Sequence, residues 1–347
     1  MAYTTINKGS SYFNTITYTG TGSSNSLTGV GFKPDWVWIK KRNGAVGHRL
    51  YDAVRGVQNT LFSQDTAAEA TGQTTTLTAF NSDGFTVISE SGVNASGDTY
   101  VAWNWLGANT TTSNTSGTIT STVSANTTAG FSIVSYTGTG ATATVGHGLG
   151  VAPSMIIVKQ RDTIRDWVVG HNGIGWTKYL YLNSTQASAV GNFFNDTNPS
   201  STVFNVVNDG GVNASGGTYI AYCFAEVKGF SKFGSYTGNN ANDGPFIYTG
   251  FKPAFILVKT TNTTQWWTLT DNKRNSFNMV TLGISPNSSN SESTFNTDRG
   301  NPNMDFVSNG FKIRTDNSGI NGTNSFIYMA FAENPFVTST LIPTTAR

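Results

Sequence analysis

The sequence predicts an all-β protein made of three tandem β-sandwich domains, lectin-like or jelly-roll-like, and three observations carry that prediction. Charged residues make up only 12% of the chain, about half the usual share of a soluble globular protein. Thr, Ser, Asn and Gly take their place, with 38 glycines alone. Thr and aromatic residues suit pleated, half-buried strands, whereas the missing Lys and Glu are helix-surface residues. Finally, a set of anchor residues recurs three times in register. The length of 347 residues is itself too great for one hydrophobic core.

The register begins with Tyr18-Thr19-Gly20, Tyr136-Thr137-Gly138 and Tyr236-Thr237-Gly238. Each is followed, 16 or 17 residues after its tyrosine, by Pro34, Pro153 or Pro253. An apolar stretch ending in lysine comes next: Trp36 to Lys40, Met155 to Lys159, and Phe255 to Lys259. Fourteen residues past the prolines stand His48, Trp167 and Trp267. Later anchors are Phe85, Phe204 and Phe311, then Tyr100, Tyr219 and Phe326. The closing segments share Val-Asn-Ala-Ser-Gly at 93–97 and 212–216, with Ile-Asn-Gly-Thr-Asn at 320–324. The third copy is seven residues longer between proline and Phe311, and its Asn/Ser-rich stretch 286–301 is where the extra length is expected.

Short strands separated by turn chemistry at this spacing read as sandwiches. Asp83-Gly84 and Asn309-Gly310 are hairpin-type dipeptides. The prolines are expected at strand starts, where a missing N–H breaks no ladder. The run Tyr100 to Trp105 is apolar at nearly every position, so both faces of that strand should be covered. Copy boundaries fall at 1–107, 108–226 and 227–347, and the stretch 108–130 reads as a short linker feeding an extra strand of copy two. Three separate cores, plus the contacts between them, are expected to supply stability.

A net charge of +2 predicts no strong field for nucleic acid or an anionic membrane. No apolar stretch approaches the length needed to span a bilayer. Met1-Ala2-Tyr3-Thr4-Thr5 leads into no apolar signal core, so export by a cleaved signal is not expected. The one cysteine, Cys223, lies in an apolar run and reads as a buried, inert thiol.

Catalytic and metal-binding patterns are not evident. His48, His147 and His171 lack metal-type spacing, and no nucleophile elbow or phosphate loop appears. No cofactor is expected, and the chain reads as a non-enzyme. Asp52 and Asp271 share a repeat column, eighteen residues past the proline, where copy two has His171. These three are candidate ligand contacts, with hydrogen-bonded strand ends as the structural alternative. Trp36, Trp38, Trp103, Trp105, Trp167 and Trp267 are expected in strands or repeat columns, hence in the core. Trp176 and Trp266 fall outside the pattern and are the candidates for exposed, sugar-stacking rings.

Several long phrases resemble a repeat of tailed, often marine, bacteriophages. They are Gly31 through Lys40 continuing to Tyr100 through Trp105, Ser124 through Ile133 continuing to Val145 through Pro153, Ala221 through Glu226, and Tyr328 through Phe336. The resemblance covers about residues 1–336 and implies a tail-fibre or other virion structural protein with no catalytic residues to carry over. It implies assembly in the host cytoplasm, release by lysis and other virion proteins as partners. A homotrimer is the expected form of a fibre, and a host-surface glycan or receptor its expected target. The alternatives are a capsid decoration or adaptor protein of purely structural role and a polysaccharide-degrading tail enzyme.

Overall fold

The computed structural model describes residues 4–335 and 337; Met1, Ala2, Tyr3, Phe336 and the end of the third copy beyond 337 lie outside the described residues. The fold is all-β, with two short helices. Copy one contributes β1 (Phe13–Thr19), β2 (Asn25–Leu27), β3 (Trp36–Lys41), β4 (Arg49–Asp52), β5 (Leu77–Asn81), β6 (Gly84–Val87) and β7 (Thr99–Trp105). Its inner sheet has the order β1-β7-β3-β4, and a three-stranded outer sheet has the order β2-β6-β5.

Copy two adds β8 (Thr112–Asn114), β9 (Ser121–Asn126), β10 (Phe131–Thr137), β11 (Ala143–Gly146), β12 (Met155–Gln160), β13 (Val168–His171), β14 (Lys178–Tyr181), β15 (Ala189–Val190), β16 (Val203–Val206) and β17 (Thr218–Phe224). The order β10-β17-β12-β13 repeats the inner sheet within an eight-stranded one, and β11-β16 is the outer layer. The stretch read as a linker supplies both β8 and β9 at the sheet edge.

Copy three adds β18 (Ser231–Thr237), β19 (Phe246–Tyr248), β20 (Phe251–Thr260), β21 (Thr268–Asp271), α1 (Glu292–Arg299), β22 (Met304–Val307), β23 (Gly310–Ile313), α2 (Ser318–Asn321) and β24 (Ser325–Pro335). Its sheets are β18-β24-β20-β21 and β19-β23-β22. The Asn/Ser-rich stretch of this longer copy carries α1. Pro34 and Pro153 precede their strands as expected, but Pro253 lies inside β20, where the register shifts on either side of it. A bulge is one of the few places a ladder tolerates a residue without N–H.

The repeated words are a clasp. Tyr18, Tyr136 and Tyr236 stack on Tyr100, Tyr219 and Phe326 at 4.9–5.1 Å, with interplanar angles of 10–16°. Their hydroxyls donate to the carbonyls of Val93, Val212 and Ile320. One residue on, the buried Asn94, Asn213 and Asn321 accept from the backbone N–H of Thr21, Thr139 and Asn239. Each amide then donates back to carbonyls of the same loop, as Asn213 does to Ala141. A Cβ at Gly20, Gly138 or Gly238 would come within 2.1–2.2 Å of the carbonyl oxygen of Ala95, Ala214 or Gly322. The Tyr-Thr-Gly word therefore ends in glycine because the facing loop leaves no room.

Alternation along the inner strands buries two faces. In copy one, Val37, Ile39, Tyr51, Tyr100 and Ala102 face the outer sheet through a small core with Leu27, Leu77 and Phe85. Trp36, Trp38, Leu50, Val101, Trp103 and Trp105 face the other way, into a core shared by all three copies. There Trp36 stacks on Tyr222 at 4.3 Å, Phe13 on Phe331 at 5.0 Å, and Phe224 meets Phe331 edge-on at 6.2 Å. The expectation of three separate cores is thereby corrected. The wide aromatic faces of three inner sheets meet in one core, with satellite cores inside copies one and two.

Candidate functional site

The candidate residues Asp52, His171 and Asp271 meet no solvent: all three are at most 1% exposed. Each sits at the end of its strand and reaches the next copy across a seam. Asp52 accepts from the Tyr222 hydroxyl at 2.7 Å, and Asp271 accepts from Trp103 Nε1 at 3.1 Å. His171 Nε2 donates to the carbonyl of Tyr328 at 3.2 Å. The structure thus places the repeat column in the three seams and corrects the reading of these residues as ligand contacts. Burial against a neighbouring copy is the reason.

The column fourteen residues past the proline does the same job in the opposite sense. His48 Nε2 donates to Ser285 O, Trp167 Nε1 to Phe62 O and Trp267 Nε1 to Tyr181 O, all at 2.9 Å. Each seam is therefore crossed by both columns, one reaching over from each copy, and the three copies close head to tail.

Two seams carry a buried ionic chain. Asp52 pairs with Arg55, Arg55 Nη1 with Glu69 at 2.6 Å, and Glu69 with Arg161 of copy two at 2.7 Å. Asp271 pairs with Arg274 at 2.6 Å, Arg274 with Glu292 at 3.4 Å, and Glu292 with Arg42 of copy one at 2.8 Å. In the third seam the same four positions hold His171, Ile174, Ser188 and Thr261. The backbone bond survives there, Ser188 N donating to Thr261 O at 2.8 Å as Glu69 N does to Arg161 O at 2.7 Å. Sequence reasoning missed Arg55, Glu69, Arg274 and Glu292, although Arg55 and Arg274 share a column twenty-one residues past the proline.

Two buried histidines and two strand-end lysines in the interior are braced as neutral or carbonyl-bound groups. His171 Nδ1 accepts from Gly173 N and His48 Nδ1 from Trp38 Nε1, so each ring is satisfied as the neutral Nε2–H tautomer. Burial lowers both, His171 to about 4. The strand-end lysines are buried too. Lys159 donates to Thr66 O and Arg165 O, and Lys259 to Thr185 O and Gln265 O, stitching neighbouring copies. Desolvation lowers them to about 8 and about 7. Cys223 is buried, and burial pushes its thiol up, away from reactivity. Among the described residues no group of three His, Cys, Asp or Glu is placed to hold a metal ion.

Trp176, expected to be exposed, is only 3% exposed, bonded to Asn172 Oδ1 at 2.8 Å and set edge-on to Phe194. The strand residue beneath it is Gly170, whose Cβ would lie 2.4 Å from the indole. In copy one that position is Tyr51, whose ring fills the satellite core itself. Trp176 is therefore a core residue, supplied from a loop to fill a gap left by glycine.

Trp266 is the candidate that reaches a surface groove. It is half-buried, with the Arg299 guanidinium 3.7 Å from its ring centroid. A groove of about 270 Å³ is lined by Gln265, Trp266, Asp298, Arg299, Asn317 and Ser318. Copy two has its own groove of about 270 Å³ at the equivalent place, lined by Arg165, Asp166, Tyr181, Phe193, Asp209 and Gly210. In copy one the place is occupied by Arg49, which pairs with Glu90 at 2.8 Å and lies over Phe62.

Copy three also differs on its outer sheet. Phe246 and Tyr248 are 47% and 58% exposed, and Phe277 on the adjoining loop is 86% exposed. The cross-strand register puts Ser26 of copy one and Thr144 of copy two where Phe246 stands. The first two outer faces are polar there and the third is aromatic.

Residues 8–335 match the model of a domain of unknown function, DUF7483, and the chain belongs to that family. No curated protein and no solved structure matches the chain.

Proposed function

We propose that this member of a family without an assigned activity is a bacteriophage virion structural protein, a tail-fibre or appendage component that attaches the particle to a host surface. The attachment reading is carried by one observation: exposed aromatic surface is concentrated on copy three, in Phe246, Tyr248, Phe277 and the Trp266 groove. Exposed aromatics gathered on one copy, where the other two copies are polar, single that copy out as the interaction surface. The virion setting rests on the phrase-level resemblance of the sequence to tailed-phage repeats. In this reading the ionisable groups of the interior brace the ring, and the surface of copy three meets a host glycan or receptor. Partners are other virion proteins, with three chains assembled about a fibre axis, and many weak sites together give avidity.

The test is a glycan array and a cell-binding assay with the protein displayed multivalently. Trp266→Ala should lower binding at least tenfold while leaving the unfolding free energy within about 1 kcal/mol. Absence of binding at high valency sinks the attachment reading. Antibody labelling of particles in negative stain tests the location: hundreds of copies on the head would replace the tail reading with a decoration protein.

A further inference from the structure

The groove of copy two is the copy-one site with its guanidinium removed. In copy one, Arg49 lies between the Glu90 carboxylate, at 2.8 Å, and the ring of Phe62, 4.9 Å from its centroid. Counting from the prolines, Asp209 stands where Glu90 does, Tyr181 where Phe62 does, and Val168 where Arg49 does. The carboxylate and the ring are kept while the cation between them is lost. Copy two also adds to the remaining parts. Asp166 takes the place of Gly47, and Phe193 lies against Tyr179 at 4.6 Å and Tyr181 at 6.4 Å. Copy three seats a guanidinium here too, by another route: Arg299 lies on Trp266.

We propose that the copy-two groove binds the guanidinium of an arginine side chain from a partner protein. Both carboxylates are already oriented, Asp166 Oδ1 accepting from Asn183 Nδ2 and Asp209 Oδ1 from Gly211 N, each at 2.7 Å. Each has its second oxygen without a hydrogen-bond donor among the described residues. A guanidinium lies flat on an aromatic ring while its edge donates to a carboxylate, which an ammonium does not do. Arg165 lines the same groove and is exposed, but no ion pair within 4.0 Å joins it to Asp166 or Asp209. Two carboxylates against one guanidinium leave the groove with an excess of negative charge. The inference stands on the comparison of copies and is independent of any virion location or host receptor.

The experiment is an NMR titration of the whole ¹⁵N-labelled chain with N-acetyl-arginine amide, its neutral isostere N-acetyl-citrulline amide, and glucosamine. The Gly210 and Gly211 amide signals should shift and saturate with the arginine probe, with at least fivefold weaker binding for citrulline. Asp166→Asn with Asp209→Asn should weaken the arginine probe at least tenfold, and Arg165→Ala should tighten it. Val168→Arg, which restores the copy-one arrangement, should abolish binding; because Val168 is buried, the surface Asp variants decide the matter if that chain does not fold. Equal binding of citrulline, tighter binding of glucosamine, or no saturable shift at these glycines overturns the proposal.

Discussion

The two ionic seams and the neutral seam solve the same packing problem with opposite chemistry. Between copies one and two, and between copies three and one, a carboxylate, an arginine, a second carboxylate and a second arginine run through the interface. Between copies two and three, histidine, isoleucine, serine and threonine replace the whole set, while the backbone bond beside it is unchanged. All four positions are neutral together. A half-replaced chain would bury an unpaired charge, which costs far more than either complete version. The molecule thus contains its own comparison of an ion network with a neutral, hydrogen-bonded substitute, and it retains both.

Arg55→Ala puts the comparison under the greatest strain. It leaves Asp52 without its cation and Glu69 held by Arg161 alone in the seam between copies one and two, and should cost about 3–5 kcal/mol in urea unfolding. Carrying over the complete neutral set, with Asp52→His, Arg55→Ile, Glu69→Ser and Arg161→Thr, should cost less than that single change. A quadruple variant less stable than Arg55→Ala would show that the ionic seam depends on more than mutual compensation. Phe204→Ala probes a satellite core instead of a seam. The ring is fully buried, so a loss of about 3–5 kcal/mol is expected, and a loss below about 1 kcal/mol would contradict its burial.

Acid should act on the neutral seam through His171. The unfolded chain protonates His171 near pH 6.5, whereas the folded ring, with Nδ1 already accepting from Gly173, resists a proton down to about 4. Its stabilising contribution is complete above pH 6.5 and is lost as the pH falls towards 4, by about 3 kcal/mol. His48, lowered in the same direction, adds to the loss in the seam between copies three and one. His171→Gln should flatten the dependence of the urea midpoint over this window, and an unchanged slope would remove His171 from the account. The smallest effect is expected for Ile174→Ala. This side chain is only partly buried against the central core, so about 1 kcal/mol is the expected loss.

Much of the architecture is legible along the chain because its signals are local. The Tyr-Thr-Gly words, the Val-Asn-Ala-Ser-Gly loops and the alternating strands each act within one copy, through a clasp or a satellite core. Composition and register therefore sufficed for the all-β class and for the buried Cys223, and the repeat columns marked Trp36, Trp38, Trp103, Trp105, Trp167 and Trp267 as core without saying that the core is shared. What the tertiary structure alone decided was where each apolar face goes. Nothing in a strand's periodicity says whether its second face meets solvent or another copy, so three expected cores became one shared core with two satellites. The same ambiguity hid the column of Asp52, His171 and Asp271, because a polar residue at a strand end looks alike whether it awaits a ligand or crosses a seam. Trp176 and Trp266 parted for a similar reason. Gly170 left a gap that only the folded chain revealed, and one indole filled it while the other stayed at the surface.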